Sequence, residues 1–374
     1  MSDTLGIGVI GCGNISAAYM RLAPLFRGIQ MRACVDLNAD LAAARAAEFG
    51  LRALSVEDLL AAEDIHVIVN LTIPPAHFAV SKAALEAGKH VWSEKPFVLS
   101  LEEGRALADI AGAKGLRIGS APDTFLGGAH QLARHLVDQG AVGDITSGTC
   151  FVQSPGMEMW HPNPDFFFKP GAGPVLDIGP YYISNLVQML GPVSRVAAIA
   201  GSASDYRTIT SQPRHGERIP VETPTTIHSI LKFASGAQVT FVASWDVWHH
   251  GHAPMELYGR DGTLYVPDPN FFGGELRMTA GPEFVNVAAD WRHPFAVAND
   301  EKGRANYRTA GLADMAQAIL EGRDHRCSLD FSLHVVDVMT AILRAGEEAR
   351  ALDLSTTCER PAALDPAAAA ALLA

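Results

Sequence analysis

Short apolar runs alternate with amphipathic stretches from residue 5 to about residue 120, and no other feature limits the possible folds of this chain as strongly. The runs Leu5–Ile10 and His90–Ser93 are strand-like, as are residues 66–71, whereas Ala39–Phe49 has the periodicity of an amphipathic helix. Strands that alternate with helices form βαβ units, in which the strands are parallel. The pattern therefore predicts an α/β domain built on a doubly wound parallel sheet.

The sequence pattern changes near Pro122. From residue 143 onward, longer strand-like runs follow one another and are joined by turn-rich segments. These runs are residues 145–152, 195–200, 225–233 and 238–244. Consecutive strands joined by turns form antiparallel sheets, so we predict an α+β second domain with a large, mostly antiparallel sheet. We place the domain bounds at residues 1–122 and 123–374, with a C-terminal helix as a candidate to pack back on the first domain.

A glycine-containing segment, Gly11-Cys12-Gly13-Asn14-Ile15-Ser16, lies where the first predicted strand gives way to the first predicted helix. The pyrophosphate of a dinucleotide binds backbone N–H groups at a helix N-terminus, and side chains at Gly11 and Gly13 would block the turn and the approach. Ser16 takes the place of the third glycine and is still small enough for the helix to pack against the strand. The segment predicts a dinucleotide site whose contacts include Gly11, Gly13, Asn14 and Ile15.

Asp36 indicates which dinucleotide this site accepts. It follows the second predicted strand, within the distance of about 20 residues expected for the acidic residue that binds the ribose. A carboxylate there accepts hydrogen bonds from the adenosine ribose hydroxyls and repels a 2′-phosphate, and the next two residues are Leu37 and Asn38 rather than arginine. The sequence therefore favours NAD over NADP as the cofactor.

The composition argues against several other classes of function. Lysine and arginine number 29 against 41 aspartates and glutamates, which gives a net charge of −12. Binding to nucleic acid or to an anionic membrane surface needs positive charge, so we expect neither partner. The five cysteines are scattered and form no CxxC pair, which predicts a cytoplasmic protein. A strand-like run already begins at Leu5, so we expect no signal peptide. No long apolar stretch occurs, so we expect no membrane span.

Three further segments follow the glycine segment along the chain. They are Asn70-Leu71-Thr72-Ile73-Pro74-Pro75-Ala76-His77, Glu94-Lys95-Pro96, and residues 171–181, which read Gly-Ala-Gly-Pro-Val-Leu-Asp-Ile-Gly-Pro-Tyr. In this order, the four segments closely resemble those of the glucose-fructose oxidoreductase / inositol dehydrogenase / rhizopine-catabolism family. The resemblance covers almost the whole chain.

The resemblance implies a nicotinamide enzyme that oxidises or reduces sugars, inositols or their derivatives, with its site between the two domains. In such an enzyme the lysine of Glu-Lys-Pro, here Lys95, contacts the nicotinamide ribose region and the reacting substrate hydroxyl. The sheet of the second domain commonly supplies the interface of a homodimer or homotetramer. Further cofactor contacts are expected at Leu71, Thr72, Pro74, His77, Glu94 and Lys95.

The sequence departs from this family where the usual pattern reads Asp-x-Gly-x-His-x-x-Asp. Tyr181 stands in place of the histidine that is usually assigned as general acid/base, and Ser184 stands in place of the second aspartate. Interconversion of an alcohol and a carbonyl still needs a proton carrier. Asp177 and Tyr181 are spaced so that they would share a helix face, and we take Lys95, Asp177 and Tyr181 as the catalytic candidates. Either Tyr181, whose proton loss a nearby Lys95 ammonium would favour, or Lys95 itself carries the proton.

A proline-rich aromatic stretch, residues 160–170, precedes the helix that carries Tyr181. Its prolines stiffen the chain, and its aromatic and polar side chains suit the recognition of a sugar. Another polar residue, Asp123, lies just past the last strand of the first domain, where substrate could reach it. The candidate substrate contacts are Lys95, Asp123, Trp160, His161, Asn163, Asp177 and Tyr181.

Two other functions remain open on the residues alone. An NAD-dependent glycosidase would oxidise its sugar only transiently, but the histidine-rich motif of such enzymes is not found in the sequence. A nonenzymatic NAD-sensing regulator would keep the fold without turnover, and the presence of Lys95 and Asp177 argues against it. The histidines at positions 249, 250 and 252 have no acidic or cysteine partners at a fixed spacing, so we expect no metal site.

Overall fold

The structure is a computed structural model that describes residues 4–287 and 291–374. The chain forms two compact units, each assembled from separate stretches of sequence. Unit 1 comprises the described residues of Met1–Gly128, Arg292–Val336 and Pro361–Ala374, and unit 2 comprises those of Ala129–Trp291 and Asp337–Arg360. The division at residue 122 that the sequence suggests stays a prediction.

Unit 1 contains a six-stranded parallel sheet. Its strands are β1 (Leu5–Ile10), β2 (Ile29–Val35), β3 (Arg52–Ala53), β4 (Val67–Asn70), β5 (His90–Ser93) and β6 (Ile118–Ser120). They lie in the order β3-β2-β1-β4-β5-β6, so the direction of winding reverses between β1 and β4. Ligands of doubly wound sheets bind at this reversal, beyond the carboxyl ends of the strands. The predicted doubly wound parallel sheet is confirmed.

The helices follow the strands in the alternation that the sequence predicts for the first part of the chain. In chain order they are α1 (Asn14–Leu22), α2 (Ala39–Phe49), α3 (Val56–Ala61), α4 (His77–Glu86), α5 (Leu101–Lys114), α6 (Gly128–Asp138), α7 (Pro174–Asp177), α8 (Gly179–Leu190), α9 (Ala310–Glu321), α10 (Leu329–Glu348) and α11 (Pro366–Leu372). Local signals set several of their ends. The side chain of Asn38 caps α2 by accepting bonds from two backbone N–H groups, and Gly50, with a φ of 67°, ends that helix.

Segments from late in the chain complete unit 1. Helix α9 packs beside β6, and α11 packs against α9. The carbonyl oxygen of Leu372 accepts a hydrogen bond from the N–H of Arg27 (2.9 Å), and the N–H of Ala374 donates to the carbonyl oxygen of Leu25 (2.9 Å). The sequence pattern missed β3 and α3, which contain two and six residues and are too short to show a periodicity.

Unit 2 is built on a nine-stranded sheet in the order β16-β15-β14-β13-β7-β12-β11-β8-β17. The strands of unit 2 are β7 (Ile145–Gln153), β8 (Val193–Gly201), β9 (Tyr206–Thr208), β10 (Arg218–Pro220), β11 (Thr226–Phe233), β12 (Gln238–Ser244), β13 (Met255–Gly259), β14 (Gly262–Val266), β15 (Arg277–Ala280), β16 (Glu283–Val285) and β17 (Leu352–Asp353). Within the sheet β7 and β12 are parallel, and the other strand pairs are antiparallel. The predicted large, mostly antiparallel sheet is confirmed. Strands β9 and β10 form a separate antiparallel ribbon, which the sequence pattern does not predict.

The two faces of the large sheet differ in burial. Along β11 buried and exposed residues alternate, and the exposed set includes His228 and Ile230. Helix α8 is buried along its whole length and contacts the sheet at β7. On the other face Ile199 and Ile230 are 79% and 50% exposed, so a partly apolar surface is left open to solvent.

Within residues 4–287 and 291–374, no helix combines the length and the apolar character needed to cross a membrane. The cysteines at positions 12, 34, 150, 327 and 358 are buried and form no disulfide bond.

Candidate active site

The glycine loop, residues 11–16, leads from β1 into α1. Gly11 has a φ of +102°, and a Cβ atom there would lie 2.7 Å from the carbonyl carbon of Leu71. Gly13 is the N-cap of α1 without a side-chain cap bond, and a Cβ atom on it would find nothing within 4 Å. Asn14 and Ile15 begin the helix, where backbone N–H groups have no partner within the helix itself. N–H groups of this kind bind a pyrophosphate, and the empty space beside Gly13 leaves its approach unobstructed at that position.

Asp36 lies directly after β2, beside the glycine loop. One of its carboxylate oxygens accepts a hydrogen bond from the N–H of Cys12 (2.8 Å), and the other accepts one from the N–H of Asn38 (2.8 Å). Each oxygen retains acceptor capacity, and the side chain is partly exposed. Asp36 is therefore held next to the loop with acceptor sites left for ribose hydroxyls.

The loop after β4 is held by the fully buried side chain of Asn70. Its amide group donates to the carbonyl oxygen of His77 (3.0 Å), and its amide oxygen accepts from the hydroxyl of Thr72 (2.7 Å). The N–H of Leu71 donates to the carbonyl oxygen of Ile10 at the end of β1 (2.8 Å). These bonds place the backbone of residues 71–72 next to the glycine loop, at the reversal of the sheet.

His77 is fully buried and joins two loops. Its Nδ1 lies 2.7 Å from the carbonyl oxygen of Pro96, and its Nε2 lies 3.0 Å from that of Thr72. Burial lowers the pKa of this imidazole. These two bonds connect the segment that ends at Pro74 with the Glu-Lys-Pro segment. Because the ring is enclosed, it has no exposed surface that could contact a cofactor.

Glu94 and Lys95 follow β5 at the same edge of the sheet. The Glu94 carboxylate accepts a hydrogen bond from the Tyr19 hydroxyl (3.0 Å) with one oxygen and from the N–H of Lys95 (3.0 Å) with the other. The Tyr19 hydroxyl in turn accepts a bond from the indole N–H of Trp92 (2.9 Å). This buried chain fixes the backbone of Lys95 at the carboxyl edge of the parallel sheet, and both Glu94 and Lys95 are partly exposed.

Asp123 lies past β6 and is 2% exposed. One of its oxygens accepts bonds from the N–H groups of Thr309 (3.1 Å) and Gly311 (2.9 Å), at the start of α9. Burial raises the pKa of the Asp123 carboxyl to about 6, against the effect of these hydrogen bonds. Thr309 is fully buried with a φ of 127°, a conformation that costs a β-branched residue energy. Asp123 therefore holds the strained start of α9.

In unit 2 Asp177 and Tyr181 lie in two consecutive helices rather than in the single helix that was predicted, and a shared face for their side chains stays a prediction. Asp177 is the last residue of α7, Ile178 separates the two helices, and Tyr181 lies in the first turn of α8. Pro180 has no N–H to donate, so the hydrogen-bond ladder of a continuous helix cannot run through this position. Both residues lie in the same short stretch of unit 2, and the Tyr181 side chain is 8% exposed.

The aromatic loop, residues 157–168, contains the other substrate candidates of unit 2. The ring of His161 lies 5.4 Å from that of Trp160 and 5.5 Å from that of Phe166, both edge to face. The side chains of Trp160 and Phe166 are 64% and 47% exposed. The Nδ1 of His161 accepts a bond from the N–H of Asn163 (3.1 Å), so the structure brings Trp160, His161 and Asn163 together.

Comparison with known proteins tests the expected family. The model of the oxidoreductase family with an NAD-binding Rossmann fold, GFO/IDH/MocA, matches residues 5–121, and the model of the GFO/IDH/MocA C-terminal domain matches residues 130–265. The two matches cover more than half of the chain. The chain belongs to the GFO/IDH/MocA oxidoreductase family. The cofactor site of unit 1 is therefore that of an NAD-binding Rossmann domain, as the glycine loop and Asp36 predict.

Curated relatives of this family member are dehydrogenases and reductases. Inositol 2-dehydrogenase 3 of Saccharopolyspora erythraea is 25% identical over 79% of this chain and 82% of that protein. Levoglucosan dehydrogenase of Pseudarthrobacter phenanthrenivorans is 26% identical over 78% of this chain and 79% of that protein. These relatives favour the oxidoreductase interpretation over the glycosidase and the regulator.

Solved structures show the same fold. An NAD binding oxidoreductase from Klebsiella pneumoniae superposes with a TM-score of 0.81 at 22% identity, over 94% of this chain and 100% of that one. Levoglucosan dehydrogenase in complex with NADH superposes with a TM-score of 0.80 at 23% identity, over the same shares. In the part of this chain that the structure describes, no group of three or more histidine, cysteine, aspartate or glutamate side chains could hold a metal ion.

Two arginines bind the aromatic loop and are not among the residues predicted from the sequence. Arg207 forms ion pairs with Glu158 (3.4 Å) and, at short range, with Asp246, and Arg214 forms a bidentate pair with Asp165. Arg214 and Asp165 are 49 residues apart in sequence. No local pattern marks such a pair, because it depends on how the ribbon of β9 and β10 folds back.

Proposed function

We propose that this protein is an NAD-dependent dehydrogenase or reductase that acts on a CH–OH group of a sugar, an inositol or a sugar derivative. The observation that carries the proposal is Lys95, which is held at the carboxyl edge of an NAD-binding Rossmann sheet by Glu94 and, through Pro96, by His77. A cation at that edge is suited to polarise a substrate oxygen close to the nicotinamide. The polyol and sugar substrates named for the relatives support the substrate class.

The proposed cofactor contacts all belong to unit 1. The N–H groups at the start of α1 would bind the pyrophosphate, Asp36 would bind the adenosine ribose, and the edge residues after β4 and β5 would line the nicotinamide half. We propose NAD rather than NADP because the Asp36 carboxylate disfavours a 2′-phosphate. His77 would act by joining the two edge loops. The full set of residues proposed for the cofactor site is Gly11, Gly13, Asn14, Ile15, Asp36, Leu71, Thr72, Pro74, His77, Glu94 and Lys95.

Bound NAD supplies the hydride acceptor or donor, and the chain must move the proton of the substrate hydroxyl. We propose that the Tyr181 hydroxyl exchanges this proton, that the Lys95 ammonium stabilises the charge on the substrate oxygen, and that Asp177 orients the substrate. The alternative is that Lys95 itself exchanges the proton and Tyr181 only donates a hydrogen bond. Both versions need the substrate oxygen within hydrogen-bond reach of Lys95.

The proposed substrate contacts of unit 2 outside the catalytic residues are Trp160, His161 and Asn163. The exposed Trp160 ring offers an apolar face to a sugar, and His161 and Asn163 offer polar groups beside it. Asp123 is enclosed by the start of α9, so we assign it an indirect part, which is to hold the segment before α9 in place.

The test is a screen of the purified protein for NADH formation against sugars, sugar acids and inositols, with NADP as the parallel cofactor. We expect turnover with NAD on at least one polyhydroxylated compound and a weaker response with NADP. Tight NAD binding without turnover on the whole panel would favour a regulator. Release of nitrophenol from a nitrophenyl glycoside without net NADH would favour the glycosidase.

We also propose a homodimer or homotetramer that assembles through the open face of the nine-stranded sheet. Its exposed Ile199 and Ile230 lie on neighbouring strands, in the part of the chain matched by the family's C-terminal domain. Replacing both with lysine should shift the mass measured by light scattering toward the monomer. The charge of −12 and the absence of disulfide bonds among the five cysteines support the proposal of a cytoplasmic protein that binds no nucleic acid and no membrane.

A further inference from the structure

We infer that the ribbon of β9 and β10 is the element that sets the position of the aromatic loop, and that Arg207 and Arg214 are the positioning residues through which it acts. The inference rests on the proposed function in one respect, which is that the aromatic loop contacts the substrate. It adds a source of substrate specificity outside the loop itself. Every contact that carries it lies within unit 2.

The ribbon and the segments that flank it contact the aromatic loop at both of its ends. Near its start, the carbonyl oxygen of Glu158 accepts bonds from the N–H groups of Thr210 (3.0 Å) and Ser211 (3.2 Å). At its end, the carbonyl oxygen of Phe168 accepts a bond from the N–H of Glu222 (2.8 Å). Backbone bonds at both ends restrict the loop to a narrow range of positions.

The ribbon also reaches the centre of the loop. The Ser211 hydroxyl donates to the carbonyl oxygen of His161 (2.6 Å), which is a candidate substrate contact. Arg214 donates to both carboxylate oxygens of Asp165, and it donates to Glu217 within the ribbon as well. A planar guanidinium with two parallel bonds fixes the orientation of its partner as well as the distance. Asp165 directly precedes Phe166, one of the two exposed aromatic rings of the loop.

Arg207 joins the loop to the large sheet. Its guanidinium pairs with Glu158 of the loop and with Asp246, which follows β12, and its Cζ lies 5.7 Å from the centre of the Phe168 ring. The Asp246 carboxylate also accepts bonds from the hydroxyls of Thr225 (2.7 Å) and Thr226 (2.6 Å). Arg207 and Asp246 thereby connect the aromatic loop to strands β11 and β12.

A packed apolar layer lies under these polar contacts. Met157 and Phe168, the first and last residues of the loop, pack with Ile209 and Ile219 of the ribbon region and with Trp245. The ends of the loop are thus buried, whereas the rings of Trp160 and Phe166 between them remain exposed. A rigid frame that presents exposed rings is what a recognition loop needs.

The first experiment compares Arg214→Ala with Arg195→Ala. Arg195 is a matched control because it forms an exposed bidentate pair with Asp353, which joins β8 to β17 in the same unit. For Arg214→Ala we expect the KM for the substrate to rise about tenfold, with kcat changed less than about threefold and the KM for NAD unchanged, because the loop is displaced while the cofactor side is untouched. Arg214→Lys should restore part of the loss, and Arg195→Ala should have normal kinetics.

A second measurement needs no turnover. Hydrogen exchange of the peptide that covers residues 157–168 should become faster in Arg214→Ala than in Arg195→Ala, with both proteins equally folded by thermal unfolding. Unchanged exchange of that peptide in Arg214→Ala would overturn the inference. The same measurement on Arg207→Ala is compared with Arg195→Ala at temperatures equally far below the two thermal midpoints.

His161→Ala separates failure of this inference from failure of the proposed site. If His161→Ala raises the substrate KM and Arg214→Ala does not, the loop binds substrate but the ribbon does not position it, and the inference is wrong. If Arg214→Ala speeds exchange of the loop and neither variant changes the substrate KM, the ribbon positions the loop and the proposed substrate role of the loop is wrong.

Discussion

The glycine loop of unit 1 and the aromatic loop of unit 2 are held by different kinds of contact. Residues 11–16 are positioned by backbone bonds and by Asp36, with neighbours in the adjacent strands β2 and β4. Residues 157–168 have backbone bonds at both ends, but they depend in addition on side-chain ion pairs. Glu158 pairs with Arg207 and Asp165 pairs with Arg214, and the members of each pair are 49 residues apart in sequence.

The cofactor site therefore depends on a local strand–helix turn, whereas the proposed substrate site depends on a few specific side chains. A glycine loop followed by a helix presents N–H groups wherever the strand–helix turn forms, so it binds the same pyrophosphate in any such protein. A loop that depends on a few long-range ion pairs changes its position when one arginine changes. We therefore expect variants in unit 1 to alter cofactor use and variants in unit 2 to alter substrate use.

The largest effect is expected at Lys95, which we propose to contact both the cofactor and the substrate. Lys95→Ala should lower kcat by about 10²-fold or more, the usual scale of a lost acid/base or charge-stabilising group, with little change in the thermal midpoint. Steady-state kinetics together with thermal unfolding measure both quantities. Activity close to normal in this variant would contradict the proposed role of Lys95.

Tyr181→Phe tests the unit 2 side of the reaction, because it removes only the hydroxyl. If Tyr181 exchanges the proton, kcat should fall about 10²-fold or more while KM changes little. A loss below about tenfold would assign the proton transfer to Lys95 instead. In either outcome NAD binding, measured by fluorescence titration, should stay unchanged.

Asp36→Ala tests whether the cofactor side behaves as an independent site. The lost charge-assisted hydrogen bonds are worth about 1.5–3 kcal/mol, so the preference for NAD over NADP should shrink by about tenfold to a hundredfold. The substrate KM measured at saturating cofactor should not change. Equal catalytic efficiency with NADP in the unmutated protein would refute the choice of NAD.

The two glycines of the loop offer a matched pair. In Gly11→Ala the alanine must adopt a φ of +102°, and its Cβ atom would lie 2.7 Å from the backbone of Leu71. The substitution should therefore destabilise the fold by about 1–3 kcal/mol. Gly13→Ala has open space and a φ of −66°, so it should leave stability nearly unchanged and weaken NAD binding. Denaturant unfolding and NAD titration of the two variants test this contrast, and equal stability losses would break it.

The smallest effect concerns the opposite edge of the unit 1 sheet. His90 Nδ1 accepts a bond from the N–H of Arg117 (2.9 Å), and burial lowers the pKa of His90 to about 4. Since this pKa lies below the unfolded value of about 6.5, the folded state should lose stability as pH falls from about 6.5 to 4. His90→Asn should reduce that loss by about 1 kcal/mol, a value discounted for partial solvent screening. If His90→Asn leaves the slope of stability against pH unchanged, protonation of His90 does not contribute to the loss of stability.

Much of unit 1 could be predicted from the sequence. Leu5–Ile10, Ala39–Phe49 and His90–Ser93 begin and end where the apolar pattern indicates, because strand and helix periodicities and glycine stops are local properties. The open α-helix N-terminus at Gly13 and the placement of Asp36 beside it follow from the same local pattern. The short strand Arg52–Ala53 could not be predicted, since its pairing with β2 decides its conformation.

Other features were decided by tertiary structure. The spacing of Asp177 and Tyr181 suggests one helix, but the helix is interrupted at Ile178, between α7 and α8. Asp123 looks like a substrate group in the sequence, and the return of α9 to unit 1 buries it as the anchor of Thr309 and Gly311.

The parallel sheet, the dinucleotide loop and the family could be predicted from the sequence, because each depends on residues that are close in sequence or that recur in a set order. The side chains that hold the aromatic loop are defined by the folding of unit 2. Nothing in the sequence distinguishes Arg207 and Arg214 from ordinary surface arginines. They become partners of Glu158 and Asp165 only after the ribbon of β9 and β10 has folded against the loop, because an ion pair depends on distance in space and carries no signature in sequence.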